Sequence, residues 1–145
     1  MFTKILFPTD FSEAAEKAKD KLVEMSRCNI GEIVLLHVVD IRIFSYSTML
    51  DIIEVDNWRK DGKLIKELNR KLNAWKDELE KTGLKVSTEI KEGIPFDEIL
   101  KYSENNGVTS ILLPSVGHGV VERMLVGSTA EKVLRKSKVS VILLR

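Results

Sequence analysis

The chain has 145 residues, within the usual size of one domain (about 100–150 residues), so it can bury a core without disulfide or metal staples. Its content of 43% apolar and 31% charged residues, with three prolines and eight glycines, excludes disordered, collagen-like and low-complexity classes. The 23 Lys and Arg against 22 Asp and Glu leave +1, so no broad basic field exists to neutralise duplex phosphates, and the single cysteine, Cys28, excludes a disulfide framework and a multi-thiolate metal site.

The start, Met1 to Pro8, lacks the apolar stretch and small-residue cleavage site of a signal peptide. No apolar run approaches the ~20 residues that span a bilayer. The expectation is a cytoplasmic protein with neither membrane nor nucleic acid as partner. Cys28 ends an apolar-periodic stretch and is expected to be a buried or half-buried thiol.

In chain order, Lys4 to Phe7, Ile33 to Val39, Ser110 to Leu113 and Val139 to Leu144 are continuous apolar runs. Such runs mark strands covered on both faces, as in a parallel sheet. Leu84 to Glu92 alternates apolar and polar residues, which suits a strand nearer an edge. Ala14, Ala15, Ala18, Leu22 and Met25 follow helical spacing, with Asp10 or Ser12 as cap. Ile65, Leu68, Leu72, Trp75 and Leu79 form the stripe of a long charged helix that ends before Gly83. A third helix starts at Pro95, with Asp97 and Glu98 in its first turn, and stops at Gly107. A fourth opens at Ser128, where Ser128 and Glu131 form the pattern of a capping box, and closes with Arg135 and Lys136. Strand and helix thus alternate four times before a final strand. The prediction is one doubly wound α/β domain over residues 1–145, a five-stranded, mostly parallel sheet with four helices. Asp40 to Trp58 carries more apolar residues than a plain loop, suited to extending the long helix, covering the site or meeting a partner.

Ligands of open parallel sheets bind beyond the carboxyl ends of the strands, at the switch point. Three segments converge there: Pro8-Thr9-Asp10, the end of the second strand at His37 to Asp40, and Pro114-Ser115-Val116-Gly117-His118-Gly119. Gly127, Ser128 and Thr129 then open the last helix. Glycines let backbone amides approach an anion, the helix end adds about half a positive charge, and the two hydroxyls add donors. Neither the Walker nor the Rossmann glycine pattern is present.

Several segments resemble the universal stress protein family, of the adenine-nucleotide-binding α/β type. They are Lys4 to Ser12, Leu35 to Asp40, Gly93-Ile94-Pro95, Leu125 to Leu134 and Val139 to Leu144, and the resemblance spans essentially the whole chain. It implies a Rossmann-like, adenine nucleotide alpha hydrolase-like fold. It also implies ATP or a related adenine nucleotide as ligand, with Mg²⁺ arriving with it, and a stress-related sensing or regulatory role. By resemblance Asp10 matches the ribose-side acid and Val38 the residue whose backbone meets the adenine edge. Gly117, Gly127, Ser128 and Thr129 match the phosphate-binding part, and Val139–Leu144 the strand through which homodimers form. That last strand is also expected at a sheet edge, where self-pairing would cover it. Pro114 stands where the family motif has its first glycine. Proline has no amide hydrogen, and one lost charge-assisted bond costs about 1.5–3 kcal/mol. The alternative reading is therefore a family member without nucleotide that acts as a dimeric interaction module.

Plainer roles compete for the same residues. Asp10 serves equally as a helix N-cap, and Ser128 with Glu131 as a capping box alone. His37 reads as a satisfied core histidine, and His118 as a solvated loop histidine rather than a phosphate contact. No Ser-His-Asp set, carboxylate pair or metal-ligand cluster emerges from spacing. Asp10 is the sole candidate general base, so ATP hydrolysis is expected to be weak at most.

Overall fold

The computed structural model describes residues 2–42, 62–115 and 127–145. Five parallel strands run in the order β3-β2-β1-β4-β5. In the chain they are β1 (Lys4–Pro8), β2 (Glu32–Asp40), β3 (Val86–Gly93), β4 (Ser110–Pro114) and β5 (Ser140–Leu144). Helices α1 (Glu13–Glu24), α2 (Lys63–Glu80), α3 (Pro95–Asn105) and α4 (Ser128–Lys136) alternate with them. The order reverses after β3, so the β1–β4 boundary is the switch point, and the alternating Leu84–Glu92 run lies at an edge as its pattern indicates.

Two apolar layers sandwich the sheet. Ile5, Phe7, Ile33 and Leu35 face α1 and α2, where Ala15, Ala18, Leu22, Leu72, Trp75 and Leu79 cover them. Leu6, Val34, Leu36, Ile111 and Leu113 face α3 and α4, against Ile99, Ala130 and Val133. Alternate residues of one strand feed opposite layers, which is why the central strands read as continuous apolar runs.

Three local expectations are settled: the covered thiol and the capping box are corrected, and one of the two offered caps of α1 is selected. Cys28 is exposed rather than buried; it ends the short 3₁₀ turn Met25–Arg27, beyond the last covered turn of α1. Ser12, not Asp10, is the N-cap of α1, its hydroxyl accepting from the Ala15 amide at 3.2 Å. Asp10 instead accepts from the Ser12 amide at 2.9 Å, one step upstream. The third concerns α4. Its N-cap is Gly127, with no side-chain cap bond, and Ser128 is already the first helical residue. Glu131 pairs with Arg135, so Ser128 and Glu131 do not form a capping box.

One buried charge escaped the apolar pattern. Lys19 is 5% exposed, and its ammonium donates to Glu16 and Glu78, each at 2.7 Å, between α1 and α2. The Trp75 ring centroid lies 5.0 Å from Lys19 Nζ, and its indole N–H donates to Glu16 at 3.0 Å. Burial pulls the Lys19 pKa down, but its hydrogen bonds to the two glutamates and their charge outweigh this, leaving it above the ordinary lysine value.

Gly31 shows why one glycine is indispensable to the sheet. A Cβ there would press into the Thr3 carbonyl, while the Gly31 amide donates to Phe2 at 2.9 Å. Gly31→Ala should therefore push β1 from β2 and cost about 1–3 kcal/mol, the usual price of overpacking. Urea unfolding measures it; a midpoint equal to that of the parent would refute the contact.

Candidate functional site

At the carboxyl edge of the sheet, ladder parity decides which backbone groups are left for a ligand. In a parallel sheet, alternate amides of a strand point to opposite neighbours. The Thr9 amide donates to Leu36 O at 2.8 Å, so the position before it, Pro8, faces β4. The Ser115 amide donates to Leu144 O at 2.8 Å, so Pro114 faces β1. The next two rungs between β1 and β4 would need the amide hydrogens of residues 8 and 114, and proline has none. Pairing between these strands accordingly stops after Ile5↔Ser110 and Leu6↔Ile111. By contrast β1–β2 runs from Lys4↔Glu32 to Pro8↔Leu36, and β4–β5 continues to Pro114↔Leu144. The sheet is unstapled at its switch point.

This alters the meaning of Pro114. The nitrogen that lacks a hydrogen faces the neighbouring strand, where it removes a rung. Pro114→Gly should place a new amide opposite the Pro8 carbonyl and extend the β1–β4 ladder. Hydrogen exchange by NMR should find the amide at position 114 protected to the level of its strand neighbours. Exchange at the rate of an open loop would refute the assignment of its direction.

The other predicted site residues divide clearly. Thr9 is buried; its hydroxyl oxygen accepts from the Phe11 amide at 3.0 Å and its carbonyl meets His37 Nδ1 at 2.8 Å. Asp10 is exposed at the carboxyl end of β1, with Oδ1 engaged by Ser12. Val38 is half-buried on β2, in register with Lys91 of β3. Ser115 is tied to the end of β5, since its hydroxyl also donates to Leu144 O at 3.2 Å. Gly127 and the exposed Ser128 stand at the start of α4, with Thr129 half-buried behind them. Helices of a doubly wound sheet begin at its carboxyl edge, so this helix start shares an edge with Thr9, Asp10 and Val38. Val116, Gly117 and His118 lie outside the described residues, as does Asp40 to Trp58 beyond Arg42. His37 is the satisfied histidine expected from its apolar surroundings. Asp40 is engaged locally: the Arg42 guanidinium donates to its two oxygens at 3.0 and 2.8 Å and holds its carboxyl below the usual carboxylate range.

Among the described residues, Gly127 has no conformational or packing reason to be glycine. Its φ of −65° is open to any residue. Among the described residues a Cβ built on it would meet nothing within 4 Å. It precedes amides of residues 128, 129 and 130, which have no acceptor within the helix, whose first rung is Glu131 N–H to Gly127 O at 2.9 Å. Sequence pattern alone missed Phe11, which holds φ +60° and stacks on His37 with centroids 5.3 Å apart. Positive φ in a non-glycine residue leaves no mark in hydrophobic periodicity.

Among the described residues no group of three or more His, Cys, Asp or Glu side chains is placed to hold a metal ion. No described helix is long and apolar enough to cross a membrane.

Comparison with known proteins agrees with this architecture. The model of the universal stress protein family matches residues 1–145. Universal stress protein MJ0577 of Methanocaldococcus jannaschii is 36% identical over 156 aligned residues, covering 100% of this chain and 96% of that protein. The solved structure of MJ0577 superposes with a TM-score of 0.79 over 99% of this chain and 96% of that one. The crystal structure of hypothetical protein PH0823 matches at 38% identity and a TM-score of 0.79, with the same coverage, 99% and 96%. Two remoter structures share the fold. One is a universal stress protein in complex with cAMP, at 14% identity and TM-score 0.65, covering 99% of this chain and 97% of that one. The other, from Archaeoglobus fulgidus, is in complex with dAMP, at 19% identity and TM-score 0.66, each chain covered over 100%.

Proposed function

The chain belongs to the universal stress protein family, and from that premise we propose that it binds ATP or a related adenine nucleotide, with a stress-related sensing or regulatory role. The nucleotide lies across the carboxyl ends of β1, β2 and β4, its phosphates at the start of α4. The observation that carries this reading is Gly127, a glycine that neither its φ nor packing among the described residues demands, set before three amides that have no acceptor within the helix and two hydroxyls. Such a helix start takes an anion at close range. The fold is also that of proteins solved with cAMP and with dAMP.

The ends of the strands supply the rest. Val38 offers one amide and one carbonyl on the same side of β2, which complements a base edge carrying an acceptor beside a donor, as adenine does at N1 and N6. Asp10 has one carboxylate oxygen bound to the Ser12 amide and keeps the other for a ribose hydroxyl. Mg²⁺ enters with the phosphates of ATP rather than through a protein cluster. The alternative of a nucleotide-free module rested on a phosphate donor lost at Pro114. With that nitrogen directed at β1, this ground is weak.

Gly127→Val should leave the fold intact and weaken ATP binding about tenfold to a hundredfold, the equivalent of one charge-assisted bond. Calorimetry on variant and parent reads the difference, and equal affinities would sink the reading.

We also propose a homodimer through the C-terminal strand, Val139 to Leu144. Strand β5 is the outer strand beside β4, and Leu143 on it is 40% exposed. A bare apolar edge invites pairing, and a two-fold copy covers it symmetrically. Val141 packs against the α3–α4 layer, so Leu143→Lys is the cleaner substitution. It should give folded monomers at micromolar concentration in analytical ultracentrifugation; persistence of the dimer places the interface elsewhere.

A further inference from the structure

We infer that His37 is a positioning residue that keeps the Val38 amide out of the β1–β2 ladder and available to a ligand. This rests on the adenine-nucleotide reading of the site and adds the device that prepares it. Along β2 the Ile33 amide donates to Lys85 O at 2.8 Å, towards β3, while Leu36 O accepts from Thr9 on the β1 side. Even-numbered positions of β2 therefore face β1, and the next of them is Val38. The next rung would be Val38 N–H to Thr9 O. That oxygen is instead held by His37 Nδ1 at 2.8 Å. Facing a carbonyl, Nδ1 must carry the proton.

The ring is braced for this task. His37 shares a face of β2 with Ile33 and Leu35, on the α1–α2 side. There it stacks on Phe11 at 27° between planes and 5.3 Å between centroids. Phe11 meets Trp75 edge-on at 5.4 Å, and the Lys71 ammonium lies 5.4 Å from its ring centroid. Phe11 reaches this position at φ +60°, a left-handed conformation that is strained for a non-glycine residue. The stacking holds the imidazole against Thr9. Meanwhile the pairing of β2 with β3 continues through His37↔Ile90 and Val38↔Lys91 to Asp40↔Gly93. Val38 thus stays a strand residue on one side and is released on the other. A buried acceptor does not stay unmade for long: without the imidazole, the Thr9 carbonyl draws in the Val38 amide.

Amide exchange by NMR on the nucleotide-free full chain, with ATP titration by calorimetry, tests this on the parent, His37→Leu and His37→Asn. In the parent the Val38 amide should exchange about tenfold or more faster than those of Val34 and Leu36. In His37→Leu it should slow towards theirs, and ATP affinity should fall about tenfold or more. In His37→Asn, whose side-chain amide sits where Nδ1–H does, both properties should return to the parent's values. A parental Val38 amide as protected as that of Leu36, or one unchanged in a folded His37→Leu variant, overturns the inference. A parent that binds no ATP while its Val38 exchange responds to His37→Leu as expected overturns the nucleotide reading and leaves the role of His37 standing.

Discussion

A strand at the centre of a parallel sheet must place its amides on two neighbours at once, and in this chain that demand falls on β1. Ile5, Leu6 and Phe7 are 0% exposed, sealed by α1 and α2 on one face and α3 and α4 on the other. Unpaired polar groups are costly in such a place, so backbone groups pair on both sides until the strand nears its carboxyl end. The β1–β4 ladder ends after Leu6 and the β1–β2 ladder after Pro8, for two different reasons. Towards β4 two prolines remove the donors; towards β2 an imidazole takes the acceptor. The site begins where backbone pairing is released, and the rigidity behind it follows from the same ladders being unbroken.

The α1–α2 side carries a second polar arrangement, the buried ammonium of Lys19 between two glutamates. Its partners are 46% and 49% exposed, so water screens the outer half of the network and tempers its net worth. Its contribution is to alignment. Glu16 holds both the ammonium and the Trp75 indole, and Trp75 in turn packs on Phe7 and Phe11 with centroids 5.7 and 5.4 Å away. A charge on α1 is thereby linked, through an aromatic row, to the histidine that holds Thr9. Packing on this face and geometry at the strand ends are one structure.

How much of this was legible in the sequence follows from what each signal encodes. Strands buried on both faces must be apolar at successive positions, so β1, β2 and β4 announce themselves, and the alternation from Leu84 to Glu92 marks the edge strand. Helical stripes such as Leu68, Leu72, Trp75 and Leu79 are equally direct. Cap geometry is not, because Ser, Asp and Gly all fit the first turn: of Asp10 and Ser12 the structure selects Ser12, and Gly127 displaces Ser128. Lys19 lay hidden because burial of a charge depends on partners 59 positions away, as with Glu78. The direction of the Pro114 nitrogen needs the register, which no single segment contains. For the candidate site, the sequence names residues, and the directions of their backbone groups need the fold.

The two prolines and the histidine also differ in what they permit. A proline removes a donor permanently, so the β1–β4 crevice stays unstapled whether or not a ligand is present. The imidazole only occupies an acceptor, and its hold depends on a stacking partner in a strained conformation. The Thr9 bond is therefore a reversible element of the candidate site, while the start of α4 is set by the helix itself. A nucleotide whose base meets Val38 would bind the conformer in which His37 holds Thr9, and by linkage it would stabilise that conformer. Contacts from His37 to Phe11 and from Phe11 to Trp75 would carry such a coupling into the α1–α2 layer. On the proposed reading, such a chain of contacts would be a physical route from an occupied site to the helical surface, with no catalytic step required.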